Sequence, residues 1–251
     1  MVEVRVLGPI EVVTGQGPVA VGGRNQRAVL VGLVLSLNRA VSTETLAWMV
    51  WGDSPPKSAH ATLQTYVSHL RQVCGDCIEC GDDSYTLQLD PASVDLVAFE
   101  RRVAAARRLI ATDPATARAT CMEALDLWRG DPFGVLHDEE SVAVEGHRLE
   151  ELRLETLELR LEADISLDDC DAAVGHLEAA TEDHPYRERL WYLLMIALAR
   201  TGRRVDALRA YRRLSELLAE TGLEPSEELR RLEGDVIVEA PSVRAHLSRI
   251  D

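Results

Sequence analysis

The spacing of apolar positions divides the chain into two stretches of different character. Val2 to Val6 alternates apolar and polar, as a half-buried strand does, and Gly8-Pro9 interrupts it. Ile10–Val13 and Pro18–Val21 predict two more short strands around the turn Thr14-Gly15-Gln16-Gly17. From Arg24 to Leu37 the period becomes helical. From Ala28 onward the residues are apolar on most sides, which predicts a buried helix. Ser42 or Thr43 caps a second helix carrying Leu46, Met49 and Val50, and Gly52 with Pro55-Pro56 ends it. A third helix is predicted from Ser58 to Val73, with Leu63, Val67 and Leu70 on one stripe. Cys74–Asp83 reads as a turn and Ser84–Leu89 as a last strand. Two short helices followed by a hairpin are the order of a winged helix-turn-helix.

From Asp95 onward the pattern is helical throughout. Helices are predicted at about 96–110, 114–129, 140–167, 170–183, 187–201, 203–221 and 226–238. Segments beginning at Leu154 and Glu188 align at an offset of 34 residues, the tetratricopeptide period. Leu157 matches Trp191, Ala173 matches Ala207 and Leu177 matches Tyr211; Leu194 and Gly202 also fall at consensus places. The fold expected is mostly α: a winged helix over 1–93, a tetratricopeptide-like helical domain over 94–238 and a tail over 239–251. Only Asp90–Val94 links the two. Val94, Leu96, Val97 and Phe99 offer apolar surface, so the helical region should dock directly on the winged helix.

Composition narrows the function. Hydrophobic residues at 46% and charged residues at 27% describe a globular chain, and aromatics at 4% make its core mostly aliphatic. No apolar run is long enough for a membrane span, and the N-terminus has no signal-peptide pattern, so a cytoplasmic protein is expected. Five cysteines then read as free thiols. The net charge of −15 is unevenly spread: +2 over residues 1–75, −5 over 76–93 and −12 over the rest. Only the first 75 residues are suited to facing phosphate. No nucleophile elbow, zinc-protease or dinucleotide motif occurs, which argues against an enzyme and against a cofactor.

On the third helix, the face opposite Leu63, Val67 and Leu70 carries Ala61, Thr65, Ser68 and Gln72, flanked by Thr62, His69 and Arg71. Thr62, Thr65, Ser68, His69 and Arg71 are therefore the candidate DNA contacts of a recognition helix, with Lys57 before it placed for phosphate. The reading set against this is a solvated helix face. Cys74, Cys77 and Cys80 form C-x2-C-x2-C beside that helix. They are candidate zinc ligands with His69 or His60 as a fourth, candidate cluster ligands, a candidate redox disulfide, or ordinary thiols.

The chain resembles the actinobacterial antibiotic regulators of the SARP type in their short form. The resemblance rests on blocks in family order, among them VRVLGPIEV, GGRNQRAVLVGLVL, VSTETLAWMVWGDSPP, ATLQTYVSHLRQV, EALDLWRGDPF, HPYRERLWYLLMIALARTGRRVDALRAYRRL and EPSEELRRLE. It implies an OmpR-like winged helix joined to a bacterial transcriptional activation domain. It also implies an activator that binds promoter DNA at direct repeats and recruits RNA polymerase through its sigma factor. The ATPase module of longer relatives is not expected, since no P-loop motif occurs. Trp51 resembles the tryptophan that places its indole N–H on a phosphate in this fold, and Tyr85 stands in the wing.

Two departures from the family pattern bear on DNA. The run Ser68-His69-Leu70-Arg71-Gln72 has one arginine where relatives carry several, and the wing reads Gly81-Asp82-Asp83-Ser84-Tyr85. DNA binding is therefore expected to be weak, or to depend on dimerisation or polymerase. A monomer or weak homodimer that pairs on DNA is expected. The acidic face of the repeats, including Asp168-Asp169 and Glu182-Asp183, is expected to meet a protein partner. The alternative function is a protein-interaction regulator with a weakened DNA-binding domain, acting through its repeats.

Overall fold

The computed structural model describes residues 2–240; most of the expected 239–251 tail lies outside the described residues. Two compact units are formed. The first runs from the N-terminus to Arg102 and adds Glu123–Arg153; the second comprises Val103–Met122 and the chain from Leu154 onward. By compactness the division falls within helices.

The first unit opens with the antiparallel meander β1 (Glu3–Arg5), β2 (Glu11–Thr14) and β3 (Gly17–Ala20). Val4 pairs with Val12 and Val12 with Val19; Val4 and Val12 are buried, as the alternation requires. Helix α1 (Arg24–Leu35) is apolar nearly all round because Ala28 to Val34 are all buried. Gly32 lets α2 approach: a Cβ there would lie 2.5 Å from the Met49 sulfur. Strand β4 (Val41–Ser42) leads into α2 (Thr43–Trp51), and the Ser42 hydroxyl caps it by accepting from the Thr45 N–H at 3.1 Å. Helix α3 (Ala59–Cys74) buries Leu63, Val67, Leu70 and Cys74, one stripe at helical spacing.

The region read as a turn between Cys74 and Asp83 contains a strand. Strand β5 (Ile78–Cys80) pairs with β6 (Ser84–Leu87), and the second sheet has the order β4-β6-β5. The glycine, aspartates and cysteines there give no alternating pattern. Fully buried Ile78, paired with Leu87, organises the strand.

Helix α4 (Asp95–Leu109) begins in this first unit, and the expected docking of its start is found there. Val94 bridges Val4, and Val94, Leu96 and Phe99 are buried while Val97 is half-buried. The anchor is Asp95. Its carboxylate accepts from the N–H of Val6 (2.8 Å), Leu7 (3.0 Å) and Leu96 (2.8 Å), and faces Arg129 at 3.4 Å. Burial pushes this carboxyl up, while the three N–H groups and Arg129 pull it down. Helix α5 (Pro114–Leu125) is four residues shorter than the predicted 114–129. Tertiary pairing ends it early: the Arg129 N–H donates to Leu7 O (2.8 Å) and the Phe133 N–H to Val6 O (2.7 Å). Gly8 permits this approach, since a Cβ would sit 2.8 Å from the Arg129 Cβ.

Helix α6 (Glu140–Ser166) has its second half in the second unit, with α7 (Cys170–Asp183), α8 (Glu188–Arg200), α9 (Arg204–Glu220) and α10 (Glu227–Val238). Every residue from Leu190 to Leu198 is buried, because α8 has α7, α9 and α10 packed against it. The 34-residue repeat matches the helix pairs: Ala173 and Ala207 are fully buried, and Trp191 donates its indole N–H to Pro185 O at 2.9 Å. The groove between α7, α8 and α9 is not simply acidic. Glu178 and Glu182 face Arg203 (3.7 Å) and Arg213 (4.0 Å), and Asp206 pairs with Arg203 and Arg209. Acids four apart on α7 stand opposite arginines before and within α9, so net charge misjudges this surface.

Candidate nucleic-acid interface

All the sequence-predicted contacts lie in the first unit. Thr65, Ser68, His69 and Gln72 are exposed on α3, and Thr62 is half-buried. The hydroxyls of Thr62 and Thr65 donate back to Ser58 O (2.9 Å) and Ala61 O (3.1 Å). What these threonines present outward is thus a methyl group and oxygen lone pairs, the apolar and acceptor features that read a thymine methyl or an amino group. Gln26 on α1 orients His69. Its Oε1 accepts from the Gly23 N–H (2.8 Å), so its Nε2 donates to His69 Nδ1 (2.7 Å). His69 Nδ1 is then the acceptor, and Nε2–H is the donor left to an incoming groove.

Arg71 is committed further than its exposed position implies. Its Nε and Nη2 donate to Ile78 O at 2.8 and 2.5 Å, fastening the base of the wing to the end of α3. Trp51 stacks on Tyr66 with ring centroids 6.3 Å apart, and Asn25 donates to the Tyr66 hydroxyl at 3.1 Å. Lys57 is exposed in the loop between α2 and α3. Tyr85 is only 7% exposed; it pairs with Cys80 and Val41 inside the hairpin sheet, and burial pushes its hydroxyl up. It packs in the wing and lines the groove between the wing and α3.

Between α3 and the wing lies a groove of about 250 Å³ lined by His60, Gln64, Ser68, Arg71 and Asp83. Gln64 was missed by the sequence reasoning. Its place four before Ser68 and seven before Arg71 was the available signal. The two wing acids differ. Thr43 donates its hydroxyl to Asp83 and its N–H to Asp83 O (3.1 Å), and His60 lies 3.6 Å from the Asp83 carboxylate. Asp82 is exposed at the tip.

Residues 94–237 match the bacterial transcriptional activator domain. The chain is 34% identical to the regulatory protein DnrI of Streptomyces peucetius, covering 96% of this chain and 94% of DnrI. It is 35% identical to AfsR of Streptomyces griseus over 92% of this chain, but spans only 24% of AfsR. Among solved structures it is similar to Mycobacterium tuberculosis EmbR in complex with a low-affinity phosphopeptide. The TM-score is 0.93 at 31% identity, over 98% of this chain and 68% of that one. The chain belongs to the SARP family of transcriptional regulators.

In this SARP-type regulator Asp83 is a tether as much as a charge. Asp83→Ala should cost about 1 kcal/mol of stability by removing a partially exposed, charge-assisted hydrogen bond at the start of α2. A urea midpoint indistinguishable from wild type would show that the Thr43–Asp83 pair contributes nothing. Among the described residues no group of three or more His, Cys, Asp or Glu side chains is placed to hold a metal ion. Cys74 is buried, Cys77 half-buried and Cys80 exposed, all as free thiols. No helix among the described residues is long and apolar enough to cross a membrane.

Proposed function

We propose that this regulator binds promoter DNA by seating α3 in the major groove, with the wing against the flanking backbone. Gln64, Thr65, Ser68, His69 and Gln72 face base edges, while Lys57 and the Trp51 indole N–H face phosphate. The observation that carries this reading is the exposed α3 face itself. It is polar and free of acidic residues, and on it Gln26 holds His69 with a donor outward. The regulator pairs head to tail on direct repeats and activates transcription by contacting RNA polymerase and its sigma factor. The mixed-charge groove of the second unit is a surface for that partner.

A second reading has its own observation. Around the interface Asp53, Asp76, Glu79, Asp82 and Asp83 outnumber Lys57 and Arg71. Such a surface suits a regulator with weak DNA affinity that works through its repeats. A mobility-shift titration against the protein's own promoter region, repeated over a salt series, separates the two. Asp82→Arg should strengthen binding about tenfold at low salt and steepen the salt slope by about one, because one repulsion becomes one phosphate contact. Salt-independent behaviour that ignores this substitution would favour the second reading.

A further inference from the structure

The DNA reading leaves Cys74 and Cys77 without a role. Cys74 closes the buried stripe of α3, Gly75 ends the helix in a left-handed conformation (φ 69°), and a single 3-10 turn, Gly75–Cys77, brings Cys77 back. Cys74 caps this turn and Cys77 lies three residues on, and side chains three apart on a 3-10 turn eclipse, so the two thiols stand side by side. Cys77 is half-buried, so it is reachable from solvent, whereas Cys74 is buried. Cys77 also sits at the joint between helix and wing. The Gln88 N–H donates to Cys77 O (2.7 Å), and Arg71 grips the next carbonyl, that of Ile78. Packing calls for an apolar residue at 74 but makes no demand for sulfur at 77.

We propose that Cys77 and Cys74 form a peroxide-reactive dithiol, with Cys77 attacking and Cys74 resolving. Cys77 is pulled below the ordinary thiol range by the neighbouring Cys74 thiol and further by its own backbone N–H and Arg71, against burial. Cys74 is pushed up by the neighbouring Cys77 and by burial. This is the asymmetry of an attacking thiolate and a waiting thiol. The Cys77 sulfur attacks one oxygen of a hydroperoxide. An S–O bond forms, the O–O bond breaks, and the departing oxygen carries away the Cys77 proton to leave as water or alcohol. The Cys74 sulfur then attacks the sulfenic sulfur: the S–S bond forms, the S–O bond breaks, and the hydroxide takes the Cys74 proton as water. Two thiols lose two electrons and the peroxide gains them.

The disulfide must close to about 2.05 Å between sulfurs, nearer than two unbonded thiols stand. Closing it strains the turn that carries the Gln88–Cys77 and Arg71–Ile78 hydrogen bonds, and so shifts β5 against α3. The effect on DNA rests on the reading of α3 and the wing as the interface; the thiol chemistry does not.

The full-length, reduced protein is treated with hydrogen peroxide and its thiols are counted. Wild type should fall from five free thiols to three, with a mass loss of about 2 Da in the Gln72–Arg101 tryptic fragment, the two hydrogens lost in the S–S bond. Cys80→Ser should oxidise as wild type does. Cys77→Ala should keep its remaining thiols, and Cys74→Ser should leave a sulfenic acid on Cys77 that dimedone traps. Circular dichroism of each reduced variant checks folding. Retention of five thiols in wild type, oxidation of Cys77→Ala as readily as wild type, or a bond that requires Cys80 would overturn the proposal. In mobility shifts, the oxidised protein should bind promoter DNA about tenfold more weakly, restored by dithiothreitol, as loss of about one phosphate contact would dictate. Unchanged binding with the disulfide formed would refute the coupling to the interface alone.

Discussion

Thr65→Glu combined with Ser68→Glu should weaken promoter binding on the order of a hundredfold, since each mispaired contact at a base edge costs about 1–3 kcal/mol. Both positions are exposed on α3, and neither side chain supports another element: the Thr65 hydroxyl bonds only its own helix at Ala61 O. The fold should therefore survive, and thermal melts of variant and wild type should coincide within a few degrees. Against that background the carboxylates act on DNA alone. They put negative charge where the groove is lined by acceptors and flanked by phosphates, and glutamate cannot repeat the methyl or donor contacts. Glu suits cytosine amino groups, so the test uses the regulator's own promoter and a scrambled duplex in parallel. Equal loss on both duplexes marks simple charge repulsion; a greater loss on the promoter marks base reading by α3. Unaltered promoter affinity would remove α3 from the interface and leave the repeats as the functional surface.

The second large effect concerns Asp95, and it is one of stability. Asp95→Ala should destabilise the first unit by about 3 kcal/mol, the usual cost of breaking a buried ion pair from one side. Three N–H donors, on Val6, Leu7 and Leu96, lose their acceptor, and Arg129 keeps only Glu11 (3.0 Å) and Pro9 O (3.0 Å). Asp95→Asn, which keeps one acceptor oxygen and drops the charge, should fall between the two. Hydrogen exchange at the Val6 and Leu7 amides reads the effect locally: both should exchange faster in Asp95→Ala, while amides in α8 keep wild-type protection. An unchanged rate at Val6 and Leu7 would show that Asp95 does not anchor the segment just after β1. Because α3 belongs to the same unit, weaker DNA binding in this variant would follow only from partial unfolding, and it should recover at lower temperature.

Local pattern made much of this molecule legible. Alternation located β1 and β2, and the stripe Leu63, Val67, Leu70 oriented α3, because helical and extended backbones bury residues at fixed periods. The same stripe exposed Thr65, Ser68 and His69 by subtraction. The repeat placed α7 to α9 because small residues recur wherever helices cross closely, as at Ala173 and Ala207. Family blocks along nearly the whole chain carry the resemblance to SARP-type regulators.

What sequence alone could not decide depended on partners distant along the chain. Strand β5 is made by Ile78 finding Leu87, and the helical pattern beyond Leu125 gives way where Leu7 and Val6 take the amides of Arg129 and Phe133. Nothing in the sequence shows that Arg71 also bonds the Ile78 carbonyl, or that Tyr85 is largely buried in the hairpin sheet. Asp95 reads in sequence as a simple helix start, yet it holds the segment just after β1, 89 residues away. Periodicity reports which face of an element is buried and says nothing of what it meets there. A side chain's hydrogen-bond partner is set by tertiary closeness, so roles that depend on a partner appear only once the chain is folded.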